Sequence, residues 1–450
     1  MPLGPLDVAA RLAGCRGRVL LHSARDDDGL GRWSFAAAEP RATLIGRGRS
    51  LVRLGEDGRP VRRFTADPFD AVREFLADHG CRLEDLAAGP APPAGEPPVP
   101  RVIGYLGYDL ASVQAPRPLS GGAARGRDTP DLWLGAYDAV VRWQGGAPEV
   151  IGAEPARARV AARIAQPARP TLPPSFGPLV ADDDGDHHIA RIERIRDYLA
   201  AGDVYQVNLA RRLVSRIAAP GDALAVYAAL AQVAPAPYGA LLECDGATVI
   251  SGSPERFLAV VGDRVETRPI KGTRPRTAGG AEELAASAKD AAEHLMIVDL
   301  ERNDLGRIAE TGSVTVDDLG YVVELPALYH KVSRISARPR AGVGHADLLR
   351  ATFPGGSITG APKLRAIEII DELEPARRGP YCGALGYFGA GGALELAIAI
   401  RIGVIVGSEL RVHVGGGIVA DSDPAAELAE TELKAAGWVA ALGTLSTSST

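Results

Sequence analysis

The chain has 450 residues, 46% of them hydrophobic, and its 50 basic and 56 acidic residues give a formal net charge of −6. That is enough apolar sequence for a large core, and it allows either one intertwined domain or two lobes. The basic residues are scattered rather than clustered into stripes, which argues against nucleic acid as the main partner.

The cysteines and the N-terminus indicate a cytoplasmic protein. Cys15, Cys81, Cys244 and Cys382 form no CxxC motif and no zinc-site spacing, so they are typical of reduced thiols. The N-terminus lacks the apolar core of a signal peptide, and no stretch approaches the roughly 20 apolar residues of a membrane span. We therefore expect no membrane partner.

Two segments rich in Pro and Gly, residues 88–100 and 166–186, are predicted surface connections. Residues 1–170 contain short alternating runs and are interpreted as a strand-rich N-terminal portion. Residues 186–444 alternate between helices and antiparallel hairpins, which predicts an α+β fold rather than a parallel sheet. The Ser/Thr-rich residues 445–450 are predicted to be a frayed tail.

In chain order, the first element of the second portion is a helix with apolar residues at helical spacing, which ends near Gly202. A half-buried strand should follow, with Tyr205, Val207 and Leu209 on one face. A hairpin turning at residues 262–263 then places Lys271 just beyond its returning strand. Loops at strand ends commonly carry catalytic groups.

The later elements follow the same alternation. The patterns predict a helix at 281–296, strands near 314–316 and 329–335, a helix at 363–373, strands at 382–388 and 394–406 joined by a Gly-rich turn, and a last helix after Asp423.

Acidic residues occur twice at i, i+3 spacing on predicted helices: Asp290 with Glu293, and Glu427 with Glu430. Each pair projects from one helical face, so two facing helices would present four carboxylates to a hard cation such as Mg²⁺. The alternative is an ordinary solvated helix surface.

Two other features leave their alternatives open, and a third, a possible nucleotide-binding motif, is excluded. Residues 415–417 are three glycines that either let a ligand approach the backbone or form a flexible turn. Gly355 and Gly360 have P-loop spacing, but Ala361 stands where that motif needs lysine. His330 in a strand-like run is typical of a hydrogen-bonded interior or edge residue.

Lys271 lies in the stretch RPIKGTRPR, without neighbouring acidic residues. An exposed lysine with a pKa near 10.4 is almost wholly protonated at neutral pH. Burial, or a nearby cation, would lower that pKa and create a nucleophilic amine. The alternative is a surface lysine at the end of a strand.

Several separated stretches resemble the chorismate-utilising enzymes, and within them the component I of aminodeoxychorismate synthases, which are related to the component I of anthranilate synthases. They cover most of residues 186–440 in the family's order. The matching stretches include GDVYQVNLA (202–210), SPERF (253–257), RPIKGTRPR (268–276), KDAAEHLMIVDLERNDLGRI (289–308), PGGSITGAPKLRAIEII (354–370) and GGGIVADSDPAAELAETELK (415–434).

The resemblance implies a fold and a reaction. The fold is α+β in α/β/β/α layers, with two orthogonally packed, largely antiparallel sheets covered by helices and with both portions of the chain intertwined. Anthranilate synthases have alanine at the motif position of Lys271, whereas aminodeoxychorismate synthases have this lysine. Lys271 is therefore expected to attack C2 of chorismate and expel the C4 hydroxyl, after which ammonia adds at C4 and releases 4-amino-4-deoxychorismate.

The resemblance also implies the roles of the other site residues. Glu255 matches the acid/base glutamate, and His330 a histidine near the reacting ring. Glu293 and Glu430 match direct Mg²⁺ ligands, with Asp290 and Glu427 behind them through water. The positions that match substrate-binding residues are Gly272, Thr273, Tyr381, Arg401, Gly415, Gly416, Gly417 and Lys434.

Ammonia is expected from a separate glutamine amidotransferase subunit, because no glutaminase motif surrounds any cysteine. The alternatives are anthranilate or isochorismate synthesis, and a non-catalytic regulatory homologue. The chemistry would suit folate supply and other p-aminobenzoate-derived metabolites equally. The N-terminal segment at 19–40, with residues 235–240, resembles a tryptophan pocket. His22 stands where an acidic residue is expected, which leaves tryptophan binding open.

Overall fold

Two antiparallel β-sheets form the centre of the molecule in the computed structural model, which describes residues 2–26, 29–84, 98–114, 129–325 and 328–447. In spatial order, the first sheet contains β10 (Ser175–Phe176), β12 (Gln206–Ala219), β24 (Glu409–Ile418), β23 (Ile402–Val406), β14 (Ala247–Ser253), β13 (Tyr238–Cys244), β1 (Val19–His22), β2 (Ser34–Ala37), β8 (Ala139–Trp143) and β9 (Glu149–Gly152), and β11 (Val180–Ala181) and β20 (Gly360–Ala361) also pair with β12.

The second sheet carries the predicted lysine at its edge. Its spatial order is β17 (Ile270–Pro275), β19 (Leu328–Ala337), β16 (Arg264–Arg268), β15 (Arg256–Val261), β22 (Leu394–Ile398), β21 (Ala384–Gly389), β6 (Pro100–Leu106), β7 (Leu132–Ala136), β3 (Ala42–Arg47), β4 (Ser50–Leu54) and β5 (Pro60–Thr65), with β18 (Thr315–Glu324) also paired to β19.

Helices cover the outer faces of both sheets. The described α-helices are α1 (Pro5–Arg11), α2 (Pro68–Asp78), α3 (Ala156–Ala165), α4 (Gly185–Ala200), α5 (Ala223–Val233), α6 (Gly280–Ala286), α7 (Ala288–Gly306), α8 (His345–Thr352), α9 (Lys363–Leu373) and α10 (Pro424–Thr447). Among the described residues, no helix combines the length and apolarity needed to cross a membrane.

The apolar core has two parts, which explains the layers. The larger part contains inner-face side chains of both sheets, such as Phe35 and Trp133, together with residues of α2, α8 and α9. The smaller part lies between the first sheet and the helices α1, α5 and α10, where Trp438 packs over Gly403. The predicted α+β class, with two antiparallel sheets covered by helices, is confirmed.

Both halves of the chain contribute to both sheets. Strands β1, β2, β8 and β9 extend the first sheet, while β3 to β7 extend the second, and β1 pairs with β13 and β6 with β21. Such pairs are distant in sequence, so burial of the alternating apolar faces is what selects them.

Local signals set several element ends where the sequence predicts them. Helix α4 starts after Asp184, whose carboxylate accepts a hydrogen bond from the His187 amide at 2.8 Å, and Gly202 follows the helix with φ +80°. The hairpin at 262–263, helix 363–373 and the start of the last helix at Pro424 are confirmed.

Other expectations need correction. The strand at 204–210 is not half-buried, because Tyr205 is exposed while Gln206 and Asn208 are buried. The helix predicted at 281–296 is two helices that meet at Ser287, whose hydroxyl caps α7 by accepting a hydrogen bond from the Asp290 amide. The strand predicted at 394–406 is interrupted near Arg401, where φ is +51°.

Four further outcomes concern two predicted loop positions, the C-terminal tail and one predicted connection. Residues 415–417 lie inside strand β24 rather than in a turn, and Lys271 lies in strand β17 rather than in a loop. The tail predicted to fray from residue 445 is helical through Thr447, because Leu445 is buried, and residues 448–450 lie outside the described residues. Most of the connection predicted at 88–100 also lies outside them.

Candidate active site

Lys271 points into the protein from the edge strand β17. Its side chain is half-buried, and its Nζ donates a hydrogen bond to the Ser357 carbonyl at 3.0 Å. Burial lowers the pKa of Lys271, the Glu255 carboxylate opposes that shift, and the cation of Lys434 adds to it. Lys271 is therefore partly desolvated, in the direction that favours a neutral amine, and is not a fully solvated surface lysine.

Glu255 lies beside this amine, between strands β14 and β15. It is 5% exposed, and its carboxylate accepts a hydrogen bond from the Ile270 amide at 3.3 Å. Burial raises the pKa of Glu255, and among the neighbouring charges Lys271 opposes this most. A carboxyl with a raised pKa keeps its proton to higher pH than a solvated carboxyl does, which suits a group that delivers a proton to a leaving group.

Strand pairing brings Thr273 and His330 together, and the cation of Arg401 acts on the same histidine. Thr273 is opposite His330 in the β17–β19 ladder, and the Thr273 hydroxyl and the His330 Nδ1 are 2.9 Å apart. Burial lowers the pKa of His330 to about 4, and the cations of Arg401 and Arg25 contribute, so the imidazole is neutral at pH 7. Arg401 is open to solvent with protein on several sides, as expected for a side chain that lines a cleft.

The two acidic pairs face each other across helices α7 and α10. Burial raises the pKa of Glu293, and the carboxylates of Asp290 and Glu427 add to this. A methyl group placed on Gly416 would lie 3.1 Å from an oxygen of Glu427 and 3.6 Å from one of Glu430. The i, i+3 spacing therefore places each acidic pair on one helical face, as predicted, and both pairs point toward one region that also contains Lys271.

The acidic pairs also have cationic neighbours. Lys434 bonds Glu430 at 2.5 Å, and Arg274 bonds Asp290 at 2.7 Å. In the described part of the chain, no three acidic, histidine or cysteine side chains converge closely enough to enclose a metal ion as they stand. The chemistry of the donors still suits Mg²⁺, because these are hard oxygen ligands. Burial raises the pKa values of Glu293 and Glu427, and neighbouring carboxylates add to the shift.

The glycines predicted to bind substrate lie close to these groups. Gly272 has φ +80°, and a side chain on it would approach an oxygen of Asp290 at 3.2 Å. Gly415 pairs with Ala210 in the sheet, and its carbonyl accepts a hydrogen bond from Lys434 at 2.7 Å. Because residues 415–417 lack side chains, helix α10 can approach this strand closely.

Tyr381, a predicted substrate-binding residue, packs in the protein interior. It is buried, and its ring stacks on His413 with centroids 5.3 Å apart. Its connection to the site runs through its neighbour Cys382, which interacts electrostatically with Glu255. Lys271, Gly272 and the two acidic pairs lie near one another, between strand β17, helix α7 and helix α10.

Sequence analysis missed two residues close to Lys271, which are Ser357 and Glu301. Ser357, whose carbonyl holds the amine of Lys271, lies in the GGSITGAPK stretch whose glycine spacing failed as a P-loop. Glu301 is buried on helix α7. Its spacing of eight residues from Glu293 places it on the same helical face, and that periodicity could have revealed it.

A cavity lies where the N-terminal resemblance indicates a tryptophan pocket. Its lining includes Leu21, His22, Trp33, Pro237, Tyr238 and Glu395. Burial lowers the pKa of His22 to about 4, and its Nδ1 lies 2.9 Å from the Tyr227 hydroxyl. A neutral imidazole therefore stands in this cavity where the resemblance expects an acidic group.

Known proteins share this fold and these motifs. The model of the chorismate binding enzyme family matches residues 33–439. Aminodeoxychorismate synthase component 1 of Klebsiella aerogenes is 40% identical over 425 residues, which cover 92% of this chain and 91% of that protein. Anthranilate synthase component 1 of Pseudomonas aeruginosa is 35% identical over 467 residues, with 95% and 90% covered.

A solved structure agrees with the sequence comparisons. The crystal structure of anthranilate synthase component I from Streptococcus pneumoniae TIGR4 matches 91% of this chain and 92% of that chain, with a TM-score of 0.75 and 28% identity. The chain belongs to the chorismate binding enzyme family, and it is a chorismate-utilising enzyme.

Proposed function

We propose that the chain converts chorismate and ammonia to 4-amino-4-deoxychorismate through a covalent adduct on Lys271. The observation that carries this proposal is the pairing of a desolvated amine with a buried acid: Lys271 has a lowered pKa and Glu255 beside it a raised one. The identity of 40% to a protein named aminodeoxychorismate synthase component 1 supports the same product.

In the first step, the neutral amine of Lys271 forms a bond to C2 of chorismate. The ring double bonds shift, the C4–O bond breaks, and Glu255 gives its proton to the departing hydroxyl, so water leaves. The amine nitrogen becomes a positively charged secondary ammonium, and Glu255 becomes a carboxylate. A difficult substitution is thereby divided into two easier ones.

In the second step, ammonia forms a bond to C4 and the double bonds shift back. The C2–N bond breaks, and its electron pair returns to Lys271, which is again a neutral amine. The new ammonium at C4 gives one proton to the Glu255 carboxylate. Both residues are then in the state in which they began, as a catalytic cycle requires.

Several residues would hold the substrate during both steps. Glu293 and Glu430 would hold a Mg²⁺ ion, with Asp290 and Glu427 behind them through water. The ion would supply a positive charge for the ring carboxylate of chorismate. To bind the metal, Glu430 must release Lys434, which frees that ammonium for a substrate carboxylate.

The second carboxylate of chorismate would contact the opposite side of the cleft. Arg401, which is accessible from solvent, is the planar bidentate donor we assign to it. Thr273, Tyr381 and the amides of residues 415–417 complete the proposed substrate set. The neutral His330, held by Thr273, would contact the reacting ring.

Ammonia would come from a separate glutamine amidotransferase subunit. The name "component 1" of the relatives supports such a partner. Free ammonia should replace the partner at high pH, where more of the ammonium is deprotonated. The product would serve p-aminobenzoate or folate synthesis, or a metabolite derived from it, in the cytoplasm.

The test incubates the purified chain with chorismate, MgCl₂ and ammonium chloride at pH 8.5, with products separated by chromatography. We expect aminodeoxychorismate, and mass spectrometry of the quenched enzyme should find the adduct on the peptide that contains Lys271. Anthranilate or isochorismate as sole product would instead favour the alternative activities, for which the 35% identity to anthranilate synthase component 1 is the supporting observation.

Two variants separate the nucleophile from its charge. Lys271→Ala removes the amine, and Lys271→Arg keeps a cation that remains protonated and is not a nucleophile. We expect both to lose aminodeoxychorismate formation. Lys271→Ala could release anthranilate, because anthranilate synthases have alanine here. Unchanged product and rate in either variant would remove the covalent step from the mechanism.

A further inference from the structure

Glu301 is a buried carboxyl that the proposed steps do not use. It lies on helix α7, is 7% exposed, and its Oε2 accepts a hydrogen bond from the Thr267 hydroxyl at 2.8 Å. Thr267 belongs to strand β16 and is 4% exposed, so this polar pair is enclosed between the helix and the second sheet. Burying a carboxyl is costly unless it is protonated or paired.

The carboxyl lies behind the turn that holds the proposed nucleophile. A methyl group placed on Gly356 would be 2.8 Å from the Leu300 side chain and 3.7 Å from Cγ of Glu301. The next residue along that turn is Ser357, whose carbonyl accepts the hydrogen bond from Lys271. Helix α7 therefore places Glu301 directly beside the backbone that fixes the position of the amine.

The charged groups that face Glu301 come from several elements. Glu255 precedes strand β15, Asp304 is on the same helix, and Lys363 begins helix α9. Lys363 is already bonded to Asp304 at 2.5 Å and to the Thr352 carbonyl at 2.9 Å. Lys271 in β17 completes the set, since the charge of Glu301 acts on it.

This surrounding favours the protonated form of Glu301. Burial raises the pKa of Glu301 to about 8, the hydrogen bond from Thr267 opposes the shift, and the carboxylates of Glu255 and Asp304 add to it. Two carboxyls that share a site do not both ionise readily. At neutral pH, Glu301 thus keeps a proton while it touches Thr267.

We propose that Glu301 is a positioning residue for the proposed nucleophile: as a protonated carboxyl behind Ser357 it withholds a negative charge that would otherwise keep Lys271 in its unreactive ammonium form. The inference rests on the proposed function of Lys271. When Glu301 ionises, its charge stabilises the ammonium of Lys271, so the amine becomes less available. Glu301 therefore limits how much the deprotonated fraction of Lys271 increases as pH rises.

The test measures the protonation of Lys271 directly and needs no turnover. The full chain is labelled with trace acetic anhydride between pH 6 and 11, and the acetylation of each lysine is counted by mass spectrometry. We expect Glu301→Gln, which has the same shape without the charge, to move the Lys271 midpoint down by about one pH unit, which is about tenfold more free amine at a given pH above 8.

A second variant checks the geometry of the pair. Thr267→Val removes the hydrogen bond that favours the Glu301 carboxylate, so Glu301 should stay protonated to higher pH and the Lys271 midpoint should move in the same direction. Glu372→Gln, at an exposed site, is the matched control and should leave the midpoint unchanged. If Glu301→Gln does not fold, Thr267→Val alone decides the test.

Turnover adds a second readout. The ratio of kcat/KM for Glu301→Gln to that of the unchanged chain should rise as pH passes through 8. Identical Lys271 labelling curves in the variants and the unchanged chain would overturn the role of Glu301, even if aminodeoxychorismate forms. A shifted labelling curve without aminodeoxychorismate would support the Glu301 effect and overturn the proposed function instead.

Discussion

Replacing Glu255 with glutamine separates its acid function from its place in the fold. The amide has the same shape as the carboxyl, and its oxygen can still accept the hydrogen bond from the Ile270 amide. The substitution removes the proton that the acid form of Glu255 can transfer, and it removes the negative charge of the carboxylate form. Because Glu255 is buried and already has a raised pKa, loss of the charge leaves no carboxylate to be solvated.

The expected loss is large and lies in the chemical step. A positioned general acid contributes roughly 10²–10⁴-fold, so kcat should fall by that factor, or about 3–5 kcal/mol in activation free energy. At a pH where Glu255 of the unchanged chain is ionised, the variant should have more free Lys271 amine, because the Glu255 carboxylate is the strongest neighbouring charge that favours the ammonium of Lys271. Slower catalysis with a more reactive amine supports this reasoning when thermal unfolding of the variant matches that of the unchanged chain, because unfolding by itself would also expose Lys271.

The assay follows aminodeoxychorismate by chromatography at saturating chorismate, MgCl₂ and ammonium, and labels lysines with acetic anhydride in parallel. Thermal unfolding checks the fold, and Glu372→Gln is the exposed control. A Glu255→Gln variant with wild-type kcat would show that the proton comes from another group. Slower labelling of Lys271 would contradict the electrostatic reasoning about the pair.

Three other predictions concern stability and metal binding. Arg378→Met should lower the free energy of unfolding, measured with denaturant, by about 3–5 kcal/mol, because it leaves the buried Glu374 without its cation. A decrease below about 1 kcal/mol would mean that the pair is solvated. The free energy of unfolding should fall as pH rises from about 4.5 toward 8, by up to about 1.4 kcal/mol per pH unit, because folded Glu301 keeps a proton that the unfolded chain releases. Glu301→Gln should remove this contribution. Equal slopes of unfolding free energy against pH in the variant and the unchanged chain would contradict the prediction. Mg²⁺ at 100 times its Kd should stabilise the chain by about 2.7 kcal/mol in thermal unfolding, and Glu293→Gln should abolish this; equal stabilisation of both would place the metal elsewhere.

Sequence patterns located elements best where a local signal ends them. Helix α9 has the predicted limits, and helix α10 begins at the predicted proline. The predicted helix at 281–296 has the right content but misses the break at Ser287, because helical periodicity continues across a residue whose hydroxyl starts a new helix. Strand burial was harder to predict, since alternation does not show whether a second layer covers the polar face.

The candidate site divides in the same way. Local spacing predicted the two acidic helix faces, and the motif around Lys271 identified the candidate nucleophile. Lys434 lies four residues from Glu430 on the same helix. The carbonyl of Ser357, the carboxyl of Glu301 and the cation of Arg274 beside Asp290 instead come from separate segments of the chain. Their contacts depend on helix α7 packing against both strand β17 and the turn at Gly356.

The sequence by itself determined the family, the class of fold and the residue types available for catalysis, because these follow from motifs and from patterns within a few turns or strands. The tertiary structure alone decided which of those groups are desolvated and which charges they meet. Protonation depends on burial and on neighbours in space. A lysine, two glutamates and a histidine therefore have pKa values here that no local pattern could predict.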